Sequence, residues 1–425
     1  MRLPSPPPAR GRLRATLTAA LAAVALVAAA CGEGDDSGSG GSATAAAVDT
    51  AILGTPKAAT GTPVKIGWMS TGQSQAVDTT EEIRAAQAVV AYANEYLGGV
   101  LGHPIELVVC EVKDAPATAQ ACGNEFVQKG VAAVLGGSPG QTDPVVQVVQ
   151  PAGIPVGLNV AASSVVLNTP GVFVWGNPLG PFGTPAAYAR ENNLTKAAVL
   201  VIDTPGSVGP AKALAPAFFG NVGATVEVIA IPPGTADMTP QVQSADGPDL
   251  YHVVGDPTFC TSAIRAIRTV DPDASITAFG RCIGTDKGAS IPGGYEGVTI
   301  VAQANADPDD EEFRLFRAVL DKYGDGLPVE SDSISGYQGM LGFVRAVNAA
   351  GGTEVTPAAI TEALQNMPAT PYPLGGGATF QCNGTAMPDI SKNSCSTVGF
   401  VADAAADGTL SNFRTIDATE IYKLG

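Results

Sequence analysis

Histidine is nearly absent from this chain. Its 425 residues include only His103 and His252, which leaves imidazole metal sites and catalytic relays almost no material. Basic residues are also few: 23 Lys and Arg stand against 40 Asp and Glu, a formal net charge of −17. No basic stripe with interleaved aromatics reverses that sign locally, so phosphate backbones are repelled and nucleic-acid binding is excluded. After residue 30 no apolar run reaches the length of a membrane span, and no internal repeat is visible. What the N-terminus does have is Arg2, Arg10, Arg12 and Arg14, then an apolar stretch over residues 15–30, with no acid among them. Those are the parts of a secretory signal over residues 1–30, too short and too alanine-rich for a bilayer core of about 30 Å.

The cysteines number seven, an odd set. Cys31 directly follows the apolar stretch, and the residues before it, Val27 to Ala30, resemble the lipobox of bacterial lipoproteins, with Ala28 where that motif usually has leucine. The resemblance implies cleavage before Cys31 and a lipid on its thiol. Residues 31–62 are rich in Gly, Ser, Ala and Thr and are expected to act as a flexible tether. Six cysteines remain, with fifteen possible connectivities. An exported chain meets an oxidising compartment, and near neighbours make the smallest search, so the expected pairs are Cys110 with Cys122, Cys260 with Cys282, and Cys382 with Cys395. No CxxC spacing and no neighbouring histidine supports zinc; no metal and no cofactor is expected.

From Val64 onward short apolar runs alternate with amphipathic stretches, the pattern of an α/β fold with parallel strands joined by crossover helices. "VKIGWM" reads as a buried strand. In the following "TTEEIRAAQAVVAYANEYLGG", Thr79 and Glu82 are spaced as a capping box, Ile83, Ala86, Val90, Ala93 and Leu97 form one helical face, and Gly98 marks the stop. Strands "IELVVC", "VAAVLGG" and "IPVGLNV" follow with helices between them. After a Gly/Pro-rich break, "GNPLGPFGTP", a second series has strands "AAVLVID", "TVEVIAI", "DLYHVV", "SITAFG" and "GVTIVAQ", implying a second Rossmann-like lobe. "DDEEFRLFRAVLDKYG" and "SGYQGMLGFVRAVNAAGG" read as helices, and "TVGFVAD" as a late strand.

The stretches "ANEYLGGVLGHPIELVV" and "ACGNEFVQKGVAAVLGG" resemble the opening lobe of the periplasmic branched-chain amino-acid-binding proteins, type I solute-binding components of ABC importers. "VVGDPTFCTSAIRAIRTV" and "SISGYQGMLGFVRAVNAAGG" extend the resemblance to about Asp417. It implies two lobes of parallel sheets joined by three crossovers, one of residues 62–175 plus 304–370, the other of 176–303 plus 371–425. Ligand would bind between them, at strand ends and helix N-termini. The implied partners are a small molecule, ABC permease subunits and the membrane through the lipid on Cys31. A monomer on the outer face of the bacterial cytoplasmic membrane is expected.

"GGSPG" over residues 136–140 also matches the nucleophile elbow of hydrolases. Against that reading, an elbow's oxyanion hole uses the N–H after the serine, and Pro139 has none; the only downstream histidine, His252, lies in an apolar strand. Ser138, with Gly140 and Gln141, is expected instead on a loop whose hydroxyl and amides bind a carboxylate or carbonyl. The resemblance adds Ala161, Ala162 and Ser163 as ligand contacts, and Asp332 with Ser333 as a cleft-lining pair that can also serve as helix N-caps. Ser207 lies in the loop after the first strand of the second series. Amino-acid binders usually place an acid for the ligand ammonium just after the strand matching "SITAFG", where this chain has Gly280, Arg281 and Cys282. Asp256 or Asp332 would have to take that role, or Arg281 would favour an anion. The leading expectation is a non-enzymatic solute-binding lipoprotein feeding a permease. A ligand-sensing subunit of a membrane signalling system and an exported hydrolase are the alternatives.

Overall fold

The structure, a computed structural model, describes residues 50–74, 77–284 and 287–423. The signal segment and Cys31 lie outside the described residues. The expected tether is partly built into the fold: Thr50–Leu53 forms a short 3-10 turn, Leu53 is buried in the first core, and the Ala59 N–H donates to the Asn94 carbonyl at 2.9 Å. Leu53 and Ile52 are the apolar residues that dock there, so only the stretch before residue 50 is left as candidate tether.

The first sheet is parallel throughout, in the order β2-β1-β3-β4-β5. Its strands are β1 (Val64–Ser70), β2 (Ile105–Glu111), β3 (Ala133–Gly136), β4 (Val156–Leu158) and β5 (Val172–Val174). Between them run α1 (Thr80–Tyr92), α2 (Pro116–Lys129), α3 (Thr142–Val149) and α4 (Ser164–Asn168). The chain then enters a seven-stranded sheet through α5 (Gly180–Glu191), β6 (Lys196–Ile202), α6 (Pro205–Gly220), β7 (Thr225–Ile231), α7 (Thr239–Gln243), β8 (Leu250–Val254), α8 (Pro257–Val270), β9 (Ser275–Phe279) and β10 (Val298–Ala302). It returns to the first sheet as α9 (Glu311–Tyr323), α10 (Ser331–Ala350) and α11 (Pro357–Asn366), then a small hairpin of β11 (Thr370–Pro371) and β12 (Thr379–Phe380). It crosses back to end in β13 (Val398–Ala404) and β14 (Leu410–Asp417), which add antiparallel beside β10. Tyr372, Leu374, Phe380, Cys382 and Cys395 are buried in the same apolar cluster as Trp68 and Trp175, while Met387 is buried in the cluster of α5 and β6; the tail up to Cys395 thus packs largely against the first sheet, where the sequence reading had placed everything after residue 370 with the second lobe.

Two features set the position of the site. α10 lies directly against α1 and β3: a Cβ on Gly336 would collide with the Glu82 carbonyl, and one on Gly339 would sit 2.9 Å from the Gly136 carbonyl. A bidentate ion pair, Arg345 to Glu312 at 2.9 Å on each arm, ties α10 to α9. The second feature is α5, which begins inside the stretch read as a break. Pro181 is tolerated in the first turn because its missing N–H has no helical partner there. Pro185, deeper in the helix, cannot donate to the Pro181 carbonyl, and that carbonyl accepts from His252 Nε2 at 2.9 Å instead. His252 Nδ1 then accepts from Thr277 Oγ1 at 3.0 Å. Burial holds this imidazole neutral and drives its pKa from 6.5 down to about 4.

The structure joins Cys110 to Cys122, Cys260 to Cys282 and Cys382 to Cys395. The first pins β2 to α2, and the second pins α8 to the turn after β9 that carries Arg281.

Candidate functional site

A cavity of about 250 Å³ opens at the ends of the strands and draws its wall from both sheets. Ser138 and Val160 come from the loops after β3 and β4, Asp332 and Ser335 from the first two turns of α10, Pro181 and Thr184 from α5, Phe279 from the end of β9 and Arg281 from the turn that follows it. Ile334, Tyr372, Phe400 and Phe413 make much of the rest apolar. A larger hollow of about 550 Å³ lies between Leu167–Phe173 and Cys382–Asn393. It lies away from the strand ends that converge on the smaller cavity, and we assign the site to the latter.

The expected capping box does not form. Thr79 Oγ1 accepts from the Gly72 N–H at 2.9 Å and bonds Ser70 Oγ at 3.1 Å, with no cap bond to α1. Glu82 turns inward instead, 3% exposed, and its Oε1 accepts the Ser138 N–H at 2.6 Å. Burial raises the Glu82 pKa from 4.5 to about 7; Ser70, the Ser138 amide and Ser335 favour its charged form, and Asp332 opposes it. Gly137 makes room for this arrangement, since a Cβ there would run into the Glu82 carboxylate and lie 2.6 Å from Ser335 Oγ.

Ser138 itself donates to the Val160 carbonyl at 3.3 Å. Both nitrogens of His252 are engaged by Thr277 and Pro181, and His103 Nδ1 meets the Thr62 carbonyl at 2.8 Å. Neither histidine is placed to activate Ser138, and the nucleophile-elbow reading loses its base. Among the described residues no group of His, Cys, Asp or Glu is arranged to hold a metal.

The structure brings Ser138, Arg281 and Asp332 to one cavity. Gly140, Gln141, Ala161, Ala162 and Ser163 line an adjoining hollow of about 350 Å³ that shares Ser138 and Val160 with it. The Ser163 hydroxyl is committed, capping α4 through the Val166 N–H at 3.1 Å and bonding the Asp143 carboxylate. Ser207 and Asp256 line neither space. Ser207 Oγ accepts from Thr204 at 3.0 Å, and Asp256 caps α8, accepting from the Thr258 and Phe259 N–H groups at 2.9 and 3.1 Å. Asp332 is not an N-cap either: Glu330 holds that position in a capping box with Ser333. The Asp332 carboxylate is left half-buried with its pKa raised, chiefly by burial, while Arg281 pulls it down.

Sequence reasoning did not find Glu82, Thr184 or Ser335 as site residues. Thr184 Oγ1 and Ser335 Oγ are buried in the cavity wall without a hydrogen-bond partner among the described residues. Ser335 lies beside Glu82 and helps keep it ionised, yet completes no bond of good geometry. Below them Asn159 donates to Gln338 at 3.0 Å, Tyr372 donates to Asn159 at 2.7 Å, and Gln338 donates to the Pro373 carbonyl at 3.0 Å. That buried network joins β4, α10 and the segment returning from α11.

A model of the periplasmic binding protein family matches residues 63–391. A search of curated proteins gives no match. Among solved structures, the branched-chain amino acid transporter substrate-binding protein LivJ from Streptococcus pneumoniae, in complex with isoleucine, is 18% identical, with 83% of this chain and 99% of that one covered at a TM-score of 0.61. A solute-binding protein of an ABC transporter from R. palustris, in complex with 4-hydroxybenzoate, is 19% identical over 84% and 97% of the chains, with a TM-score of 0.62. A fatty acid ABC transporter substrate-binding protein from Thermomonospora curvata is 16% identical over 86% and 96%, also at 0.62. At these identities the likeness establishes a shared fold.

Proposed function

The chain belongs to the periplasmic binding protein family, and from that premise we propose that it captures a small amphipathic solute in the cavity at Arg281 and Asp332 and presents it to an ABC permease. The observation that carries the reading is that cavity, walled by both sheets, largely apolar, with one cation and one acid facing each other. Binding proteins need such a site: apolar area for affinity and a few convergent polar groups for orientation. Isoleucine and 4-hydroxybenzoate, bound by two similar proteins, and the fatty acids for which a third is named all combine an apolar body with a carboxylate.

In this proposal the two lobes close over the ligand by a hinge at the three crossings, with the second lobe's tail beginning near Ser396. Family membership implies work outside the cytoplasm, and Cys31 would anchor a monomer there by its lipid. Thermal unfolding against a panel of branched amino acids, aromatic acids and fatty acids tests the reading. At least one class should stabilise the protein, by about 2.7 kcal/mol at 100 times its Kd, and Phe413→Asp in the cavity wall should abolish the shift. Silence from the whole panel, or a shift that survives Phe413→Asp unchanged, would count against it.

A further inference from the structure

We infer that the cleft holds its ligand with reversed polarity: the ammonium end of a zwitterion against Asp332 and Ser335 on the first sheet's side, the carboxylate end against Arg281 on the second. This rests on the solute-binding reading and adds a ligand class and an orientation to it.

In the cavity that holds Arg281 and Asp332 the loop after β3 offers a ligand carboxylate few donors, and Ala161, Ala162 and Ser163 line the adjoining hollow instead. Of the loop after β3, the Ser138 N–H is taken by Glu82 and the Gly140 N–H by Thr71 Oγ1 at 3.1 Å, while Pro139 has no N–H. Ser163, in the loop after β4, bonds Asp143. Each loop therefore has a carboxyl group behind it, Asp143 bonded to Ser163 and Glu82 with its pKa raised to about 7, and an incoming anion would meet like charge from their ionised forms. The N-terminus of α10, otherwise an anion site, is already closed by the Glu330 carboxylate of its capping box.

What that wall does offer is acceptor capacity. Asp332 and Ser335 lie three residues apart on one face of α10, and both line the cavity. Ser335 Oγ is 2% exposed and unpartnered among the described residues. On the opposite wall Arg281 is the cavity's one cation, exposed and without a hydrogen bond or ion pair to any described residue. Its own wall supplies no acid, because Asp256 is spent on capping α8, and the acid it acts on is Asp332 across the cavity. Phe279, Ile334 and Phe413 give the apolar body its surface. A desolvated ammonium is costly unless paired, and Asp332 is the one carboxylate in the cavity able to pair it.

Calorimetric titration of the whole protein with three matched probes, L-leucine, 4-methylpentanoate and 3-methylbutylamine, tests the orientation. Leucine should bind at least tenfold more tightly than either singly charged probe. Asp332→Asn should weaken leucine and the amine at least tenfold and leave 4-methylpentanoate within twofold; Arg281→Gln should do the converse. Unliganded unfolding of each variant checks that the fold is retained. Leucine binding that is indifferent to Asp332→Asn, or a compound without a cationic group that outcompetes every zwitterion, overturns the orientation and leaves solute binding standing. A wild type silent to every probe and to the wider panel overturns both.

Discussion

Gly336→Ala is expected to destabilise the protein by about 3 kcal/mol, the upper end of overpacking costs. Helix propensity alone would favour the alanine by about 1 kcal/mol, so a net loss can only come from contact. The new methyl would meet the Glu82 carbonyl oxygen, with the Glu82 carbonyl carbon 2.9 Å and its Cα 3.0 Å away. All three are backbone atoms, and no side-chain rotation relieves them. Either α10 lifts from α1, opening the core around Ile83, Val89, Tyr337 and Met340, or the first turn of α1 gives way and carries Glu82 off the Ser138 amide. Both routes also weaken ligand binding. Gly209→Ala, in α6 with nothing within 4 Å of its added carbon, is the control and should be neutral or stabilising by up to about 1 kcal/mol. Urea unfolding of the two variants checks the contrast.

Glu82→Gln should stabilise the protein by about 3 kcal/mol at pH 8 and change little at pH 4.5. The Glu82 pKa is raised from 4.5 to about 7 by burial, so the folded state holds its proton more tightly than the unfolded chain. The associated stability is present below pH 4.5 and is lost as pH rises through 7. Glutamine keeps the shape and can still accept the Ser138 N–H through its carbonyl, without the buried charge. His252 works in the opposite direction: its pKa falls from 6.5 to about 4, so its stability is present above pH 6.5 and is lost as pH falls through 4. Over the shared interval the two groups offset each other in the wild type. Removing Glu82's titration should expose a decline of about 3 kcal/mol from pH 7 to 4 owed to His252. Denaturation midpoints across pH 4 to 8 would show it; a variant less stable than wild type at pH 8 would mean that the Glu82 charge is compensated better than its burial implies.

Strands β1 to β4 and β6 to β10 were legible because each is a short apolar run bounded by loops and alternating with helix periodicity. β14 was not, since "LSNFRTID" is an outer strand of the sheet whose side chains are mostly solvated and carry little apolar signal. α5 was obscured by its prolines and glycines, ordinarily breakers; its burial under β13 and its bond to His252 are tertiary facts. The same limit applied at the site. Asp256 and Asp332 both stand at the start of a helix, and only geometry separates a true N-cap from a carboxylate two residues past the cap that faces a cavity. Glu82 had the spacing of a capping residue, but Thr79's bonds to Gly72 and Ser70 release it to the interior.

The most direct test of the account is a crystal structure grown with whichever compound stabilises the protein. The compound should lie between Arg281 and the Asp332–Ser335 turn, in contact with Phe279 and Phe413. Finding it instead in the hollow beside Leu167, Asn383 and Lys392, or on the outer surface with the cleft empty, would contradict the central claim.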